Sequence, residues 1–217
     1  APHVAEAQAE MGIAAYWLGL HHYRQRRFEQ ARMHWTTYLR TSEALVALQP
    51  GRMDWRIELS YALNNLGAVA RDQGRTGEAL GYFRRSARIK SDVLATRPDD
   101  DALRYDLVDT LSWISSVDES EGRLRDASAG YSEQIGMLRR LVANKPDALL
   151  WQRRLATSLL SCGALAASRG LLDDAKAQID EAIALLSSLT AREPGNQGWA
   201  HDLALAHVEA SEIAWIR

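Results

Sequence analysis

The sequence predicts an all-α protein, an α-solenoid of stacked antiparallel helix pairs with about nine helices. Three observations predict it. All five prolines, Pro2, Pro50, Pro98, Pro146 and Pro194, lie 48 residues apart, which divides the chain into copies 2–49, 50–97, 98–145 and 146–193 and a half-copy 194–217. Gly74, Gly122 and Gly170 each fall 24 residues after a proline and cut their copies into equal halves. Within the halves, apolar residues recur with the 3.6-residue period of a helix and not the alternation of a strand. A long fixed period of this kind marks units that stack on their neighbours, here as one repeat domain over 1–217.

The elements follow in order. In the first copy Arg26 holds the slot occupied later by glycine. In the second, Trp55, Leu59, Ala62, Leu63, Leu66, Val69 and Ala70 form a helical stripe. Gly74 then suits the left-handed residue just past a helix end. Thr76 is placed to cap the next helix, and Glu78, Asp126 and Asp174 lie near the starts of successive second helices, at the positive end of the dipole. Ala79, Phe83, Ser86, Ile89 and Val93 carry that helix to Pro98. Asp99, Asp100 and Asp101 open the third copy as capping residues. The half-copy supplies one last helix from about Asn196, with Trp199, Leu203, Ala206, Ala210 and Ile213 facing the fourth copy.

Glycines of the second copy raise a separate question, because Gly67, Gly74, Gly77 and Gly81 fall within 15 residues. A phosphate cradle is excluded by the absence of G-x-G-x-x-G, of G-K-[ST] and of a preceding Val/Ile-rich strand. Gly74 makes a turn. Gly67, sharing its slot with Ser115, Gly163 and Ser211, lets two helices approach. Gly77 lies in a first turn, and Gly81 has no specific role.

Composition narrows the function. The chain has 217 residues, 25% charged and 47% hydrophobic, with a formal net charge of −2 and a pI near 6.3, so no global charge draws it to nucleic acid or to an anionic membrane. Residues 1–97 nevertheless hold 14 basic and 9 acidic residues, and residues 98–217 hold 12 and 19. No apolar run approaches a membrane span and no signal peptide is visible. The start at Ala1 suggests a fragment or processed product. One cysteine excludes an intrachain disulfide framework. A cytoplasmic location is expected, with a periplasmic segment of a larger protein as the alternative.

The run Asn65-Leu66-Gly67, followed by Gly74, Ala79, Phe83 and Ser86, resembles the tetratricopeptide repeat (TPR). Copy one matches through Leu18, Gly19, Ala31 and Trp35, copy three through Ile114, Ser115, Gly122, Ala127 and Tyr131, and copy four through Cys162, Gly163, Gly170, Ala175 and Ile179. The period of 48 in place of the usual 34 implies longer helices, as in a bacterial-type variant found beside regulatory domains. The resemblance implies a right-handed superhelix whose first helices line a concave groove. Its groove slots carry over to Ile13, Tyr16, Leu20 and Tyr23, to Tyr61, Asn64, Ala68 and Arg71, and to Asp109, Ser112, Ser116 and Glu119. In the later copies they fall on Thr157, Leu160, Ala164 and Ala167, and on Leu205, Val208, Glu212 and Trp215. The basic carboxylate clamp of chaperone-binding members is not reproduced, Arg24 and Asn65 being its nearest echoes. The implied function is a protein- or peptide-binding scaffold or regulatory module in a larger multidomain protein, with Tyr16, Leu20, Tyr23, Arg24, Tyr61, Asn64, Arg71, Asp109 and Trp113 as partner-binding residues.

Other functions are weaker on the residues. Cys162 shares its slot with Leu66 and Ile114 and reads as a packed thiol, not a nucleophile. His21 and His22 are adjacent and read as a solvated pair at a turn, and His201 and His207 are six apart, so neither pair suits a metal. No catalytic residue, metal or cofactor is expected. The seven tryptophans mostly fill repeat slots and read as core, except Trp113 and Trp215, which are expected to face the groove. Arg24, Arg26, Arg27, Arg32 and Arg40 make nucleic acid the alternative partner, although Tyr16, Asn64, Ser112, Leu160 and Val208 share no base-reading chemistry across copies. Catalysis is the second alternative. In the last helix, Leu205, Val208, Trp215 and Ile216 fall off the packing stripe, which suggests self-association there.

Overall fold

The structure, a computed structural model, describes residues 2–216 and the side chains of residues 3–215. Among the described residues it consists of nine α-helices and no strand: α1 (Pro2–Arg24), α2 (Phe28–Leu48), α3 (Met53–Asp72), α4 (Thr76–Thr96), α5 (Asp101–Ser120), α6 (Leu124–Asn144), α7 (Leu149–Ser168), α8 (Leu172–Arg192) and α9 (Gln197–Ile216). Each copy of the period contains two helices and the half-copy one. Helices of about 20 residues are ~30 Å long. The chain forms two compact units, Ala1–Val117 and Asp118–Arg217.

Glycine and proline set the helix ends. Gly74, Gly122 and Gly170 have φ of +74°, +73° and +77°. After α3 the Gly74 N–H donates to Arg71 O and the Arg75 N–H to Ala70 O, both at 2.8 Å, which closes the helix with a Schellman motif. The same reach from the residue after glycine recurs in Arg123 to Asp118 O and Leu171 to Ala166 O. Arg26, at φ +57°, is the one described non-glycine residue with positive φ, so a side chain occupies the left-handed turn of the first pair. The other ends are set by proline: α2, α4, α6 and α8 each stop two residues before one. A residue preceding proline is pushed out of the helical region.

Capping differs from expectation at Thr76. That residue is already the first of α4, and Arg75 at φ −88° is its cap, with no side-chain bond. The left-handed turn delivers the chain directly into the helix. The expected dipole partner is present, since Glu78 lies in the first turn and pairs with Arg75 at 2.7 Å. Asp100 caps as expected, accepting the Leu103 N–H at 2.9 Å, and Asn196 accepts the Trp199 N–H at 3.3 Å.

Small residues bring the helices of a pair together. A Cβ on Gly67 would lie 2.6 Å from the Phe83 ring, one on Gly19 2.3 Å from Trp35, and one on Gly163 2.8 Å from Ile179. In the first unit Ala15, Ala31, Trp35, Tyr38, Ala62, Leu66 and Val69 form a core, and Ile114 packs on Ala70, Ala79 and Phe83. In the second, Ala166, Ala175, Ile179 and Ile213 pack together with Leu160, Ala167, Ile183 and Ala210. Cys162 is buried, as its slot requires, and burial pushes its thiol pKa up. Leu18 is 48% exposed although its equivalents Leu66 and Cys162 are buried. The slot faces a preceding helix pair, and none precedes α1 among the described residues.

Candidate functional site

Slots of the 48-residue period assemble one cleft in the first unit. Trp17, Asn65 and Trp113 hold one slot on α1, α3 and α5, Ile13, Tyr61 and Asp109 a second, and Tyr16 and Asn64 a third. Together with Ala68, Tyr38, Glu58, Lys90 and Asp106 they line a cavity of about 710 Å³. Its walls are first helices. Its floor is closed by Tyr38 of α2 and Lys90 of α4.

The polar groups of the floor are ordered by proton supply. Tyr38 donates its phenol proton to Glu58 Oε2 and Tyr61 donates to Asp106 Oδ2, both at 2.5 Å. Burial, then the neighbouring carboxylate, raises both phenol pKa values well above the ordinary 10. Lys90 is 1% exposed, and its Nζ donates to Asp106 O and Thr110 Oγ1, each at 2.9 Å. Desolvation dominates over the attraction of Asp106 and Asp109 and brings its pKa down to about 8. The Tyr61 ring lies 5.3 Å from the ammonium.

Thr110 fixes the orientation of Asn64. Its one hydroxyl proton goes to Asp106 O at 3.0 Å, so towards Lys90 and Asn64 Thr110 Oγ1 acts as an acceptor. Asn64 must therefore present Nδ2 to it, at 2.9 Å, which leaves Oδ1 buried and unpaired. Next to it the Asn65 Nδ2 is also buried without a partner. One acceptor and one donor on adjacent residues thus remain unsatisfied at the cleft, where each unmade bond costs about 1–3 kcal/mol.

Of the residues expected at a groove, Ile13, Tyr16, Tyr61, Asn64, Ala68, Asp109 and Trp113 meet in this cleft. Leu20 and Tyr23 are not on its lining and pack against the core formed by α1, α2 and α3. Tyr23 donates to Asp72 Oδ2 at 2.6 Å, and burial with that bond pushes its pKa up to about 12. Arg24 is exposed at the end of α1. Arg71 flanks the cleft, its guanidinium 4.0 Å over the Trp113 ring and 2.6 Å from Asp72 Oδ1. Trp17, expected in the core, is 60% exposed and lines the cleft beside Tyr16, ring centroids 5.1 Å apart. Its slot, shared with Trp113, could have revealed it. Lys90 was equally legible in principle, because Leu138 and Leu186 are its equivalents one and two periods on.

Elsewhere the expectations divide. Among the described residues no three or more of His, Cys, Asp and Glu are grouped as metal ligands would be. His21 is exposed and within 3.0 Å of Gln25, but His22 is half-buried and stacks on His34 at 5.3 Å, so the pair is not wholly solvated. Trp35 and Trp199 are buried and Trp55 and Trp151 half-buried. On α9, Leu205, Val208 and Trp215 are exposed, and His207, Val208, Ser211, Glu212 and Trp215 line a shallow cavity of about 680 Å³. The side chain of Ile216 lies outside the described residues. No described helix is long and apolar enough to cross a membrane.

No protein-family model matches the sequence and no curated protein matches it. Solved structures do. A putative kinesin light chain of Podosopora anserina with nearly identical TPR-like repeats matches at 14% identity and a TM-score of 0.56, over 93% of this chain and 90% of that one. The yeast histone chaperone Hif1, a scaffold protein, matches at 12% identity and a TM-score of 0.60, over 96% of each. The Rap conjugation gene regulator of plasmid pLS20, solved with a Phr peptide, matches at 12% identity and a TM-score of 0.53, over 92% of this chain and 53% of that one. At such identities the likeness is one of fold, and the fold is the TPR-like helical repeat.

Proposed function

We propose that the chain is a protein-interaction scaffold whose first unit binds an extended peptide segment in the cleft between α1, α3 and α5. The observation that carries this reading is the unmade pair on two residues of its lining. An extended backbone offers an N–H to Asn64 Oδ1 and a C=O to Asn65 Nδ2, whereas an apolar ligand would satisfy neither. Aromatic walls supply the anchoring area that dominates most interfaces. Support at the level of fold comes from the Rap regulator solved with a peptide and from the Hif1 scaffold.

Selection of a displayed library of random nine-residue peptides on the chain tests the reading. Enriched peptides should bind Asn64→Ala, Asn65→Ala and Tyr16→Ala variants about tenfold or more weakly, roughly 1.4 kcal/mol, with helix content unchanged. Peptides that bind all three variants as tightly as the parent would place the contact outside the cleft.

A further inference from the structure

The cleft is selective in charge as well as shape. Glu58, Asp106 and Asp109 bring three carboxylates to its lining and Lys90 one ammonium, which is already bonded to the Asp106 carbonyl and to Thr110. The acidic character is local: the copies that form most of the first unit, residues 1–97, hold an excess of basic residues. It also follows the period, since Glu58 and Asp106 share a slot. Tyr38 and Tyr61 each engage one carboxylate oxygen, Oε2 of Glu58 and Oδ2 of Asp106. These bonds hold the carboxylates in place.

The rings are arranged for the same class of ligand. Two of them already carry a cation of this chain: Arg71 lies 4.0 Å over Trp113, and Lys90 lies 5.3 Å from the Tyr61 ring. Trp17 does not, although it is the most exposed ring of the cleft, and no described Lys or Arg is stacked on it. A guanidinium or ammonium near an aromatic face is attracted by the ring quadrupole, and its alkyl stem covers apolar surface. Carboxylates that share one cleft with an exposed indole therefore complement a long cationic side chain. An acidic side chain would meet three like charges there.

We propose that the segment bound in this cleft is basic, with an arginine or lysine whose stem lies on Trp17 and Tyr16 and whose head is set among Glu58, Asp106 and Asp109. The inference rests on the peptide reading above and adds the chemistry of the partner. Charge complementarity of this kind discriminates among partners more than it adds raw affinity.

The selected nine-residue peptides provide the test on the 217-residue chain. Enriched sequences should be rich in Arg and Lys and poor in Asp and Glu. Resynthesis of the tightest peptide with its basic residues replaced by Gln should weaken binding at least tenfold, and by Glu further. Glu58→Gln and Asp109→Asn, which keep hydrogen-bonding capacity, should each remove most of that preference while leaving the Gln peptide unaffected. Affinity of the parent for the basic peptide should fall between 50 and about 300 mM salt, a readout that needs no variant. Neutral or acidic winners that still depend on Asn64 would overturn the charge assignment and leave the peptide reading standing. A basic peptide indifferent to Glu58→Gln, Asp109→Asn and salt would likewise overturn it. If no peptide is enriched, both readings fall.

Discussion

Lys90 shows what one residue can do to the chemistry of the first unit. A lysine 1% exposed is held among Asp106 O, Thr110 and the Tyr61 ring, and desolvation brings its pKa from 10.5 to about 8. Between those values the unfolded chain keeps a proton that the folded chain has released, so stability rises with pH. Relative to a Lys90→Met variant, the native protein should therefore gain about 2 kcal/mol from pH 8 to pH 10, with little change below pH 7. Denaturant titrations at several pH values measure it. Tyr23, Tyr38 and Tyr61 oppose this trend, because their folded pKa values are raised and their stabilisation is lost above about pH 10. They are common to both proteins and cancel in the difference. Residues of this kind are the least legible in sequence. Lys90 shares its slot with Leu138 and Leu186, all three buried, but helical periodicity does not say which buried polar atoms will find partners. The orientation of Asn64 depends on a single hydroxyl proton of Thr110.

Helices were far more legible, for a local reason. From α2 to α8 the helical stretches are bounded mainly by prolines that cannot continue a helix and by glycines that accept positive φ, and only the turn before α2 puts a side chain, Arg26, in the left-handed position. Both determinants act within a few residues. Thr76 lies one residue inside its helix, because a left-handed turn consumes the position a side-chain cap would use. Close packing between helices was also readable, at Gly67, through its small equivalents Ser115 and Gly163. This gives two alanine substitutions of opposite sign. Gly67→Ala places a methyl 2.6 Å from the Phe83 ring and should cost about 1–3 kcal/mol despite the better helix propensity. Gly81→Ala meets nothing within 4 Å and should stabilise by about 0.5–1 kcal/mol. Thermal melts of both variants decide whether tight helix approach or propensity governs each site.

At the scale of the molecule the repeat pattern was legible throughout, and the location of the cleft only in part. Trp17 and Trp113 hold the same slot, but only a structure shows that the slot opens on a cavity in the first unit. The second unit presents a different surface. Trp215 is 90% exposed on α9, with Leu205 and Val208 also uncovered, an apolar strip of the kind that commonly marks a contact. We propose that copies of the chain associate through it. Sedimentation velocity should show concentration-dependent association of the parent and a monomer for a Val208→Lys, Trp215→Glu variant; a parent that stays monomeric at high concentration rules the contact out. The two units also differ in one practical respect. Of the three lysines only Lys90 is buried, Lys145 and Lys176 being exposed, and the one cysteine, Cys162, is buried in the other unit. An amine reagent and a thiol reagent therefore time the opening of the two units separately, in one sample and without any engineered label. Matching rates for Lys90 and Cys162 would mean that the repeats unfold as a single cooperative block, and a lag of one behind the other would mean that the array opens in stages.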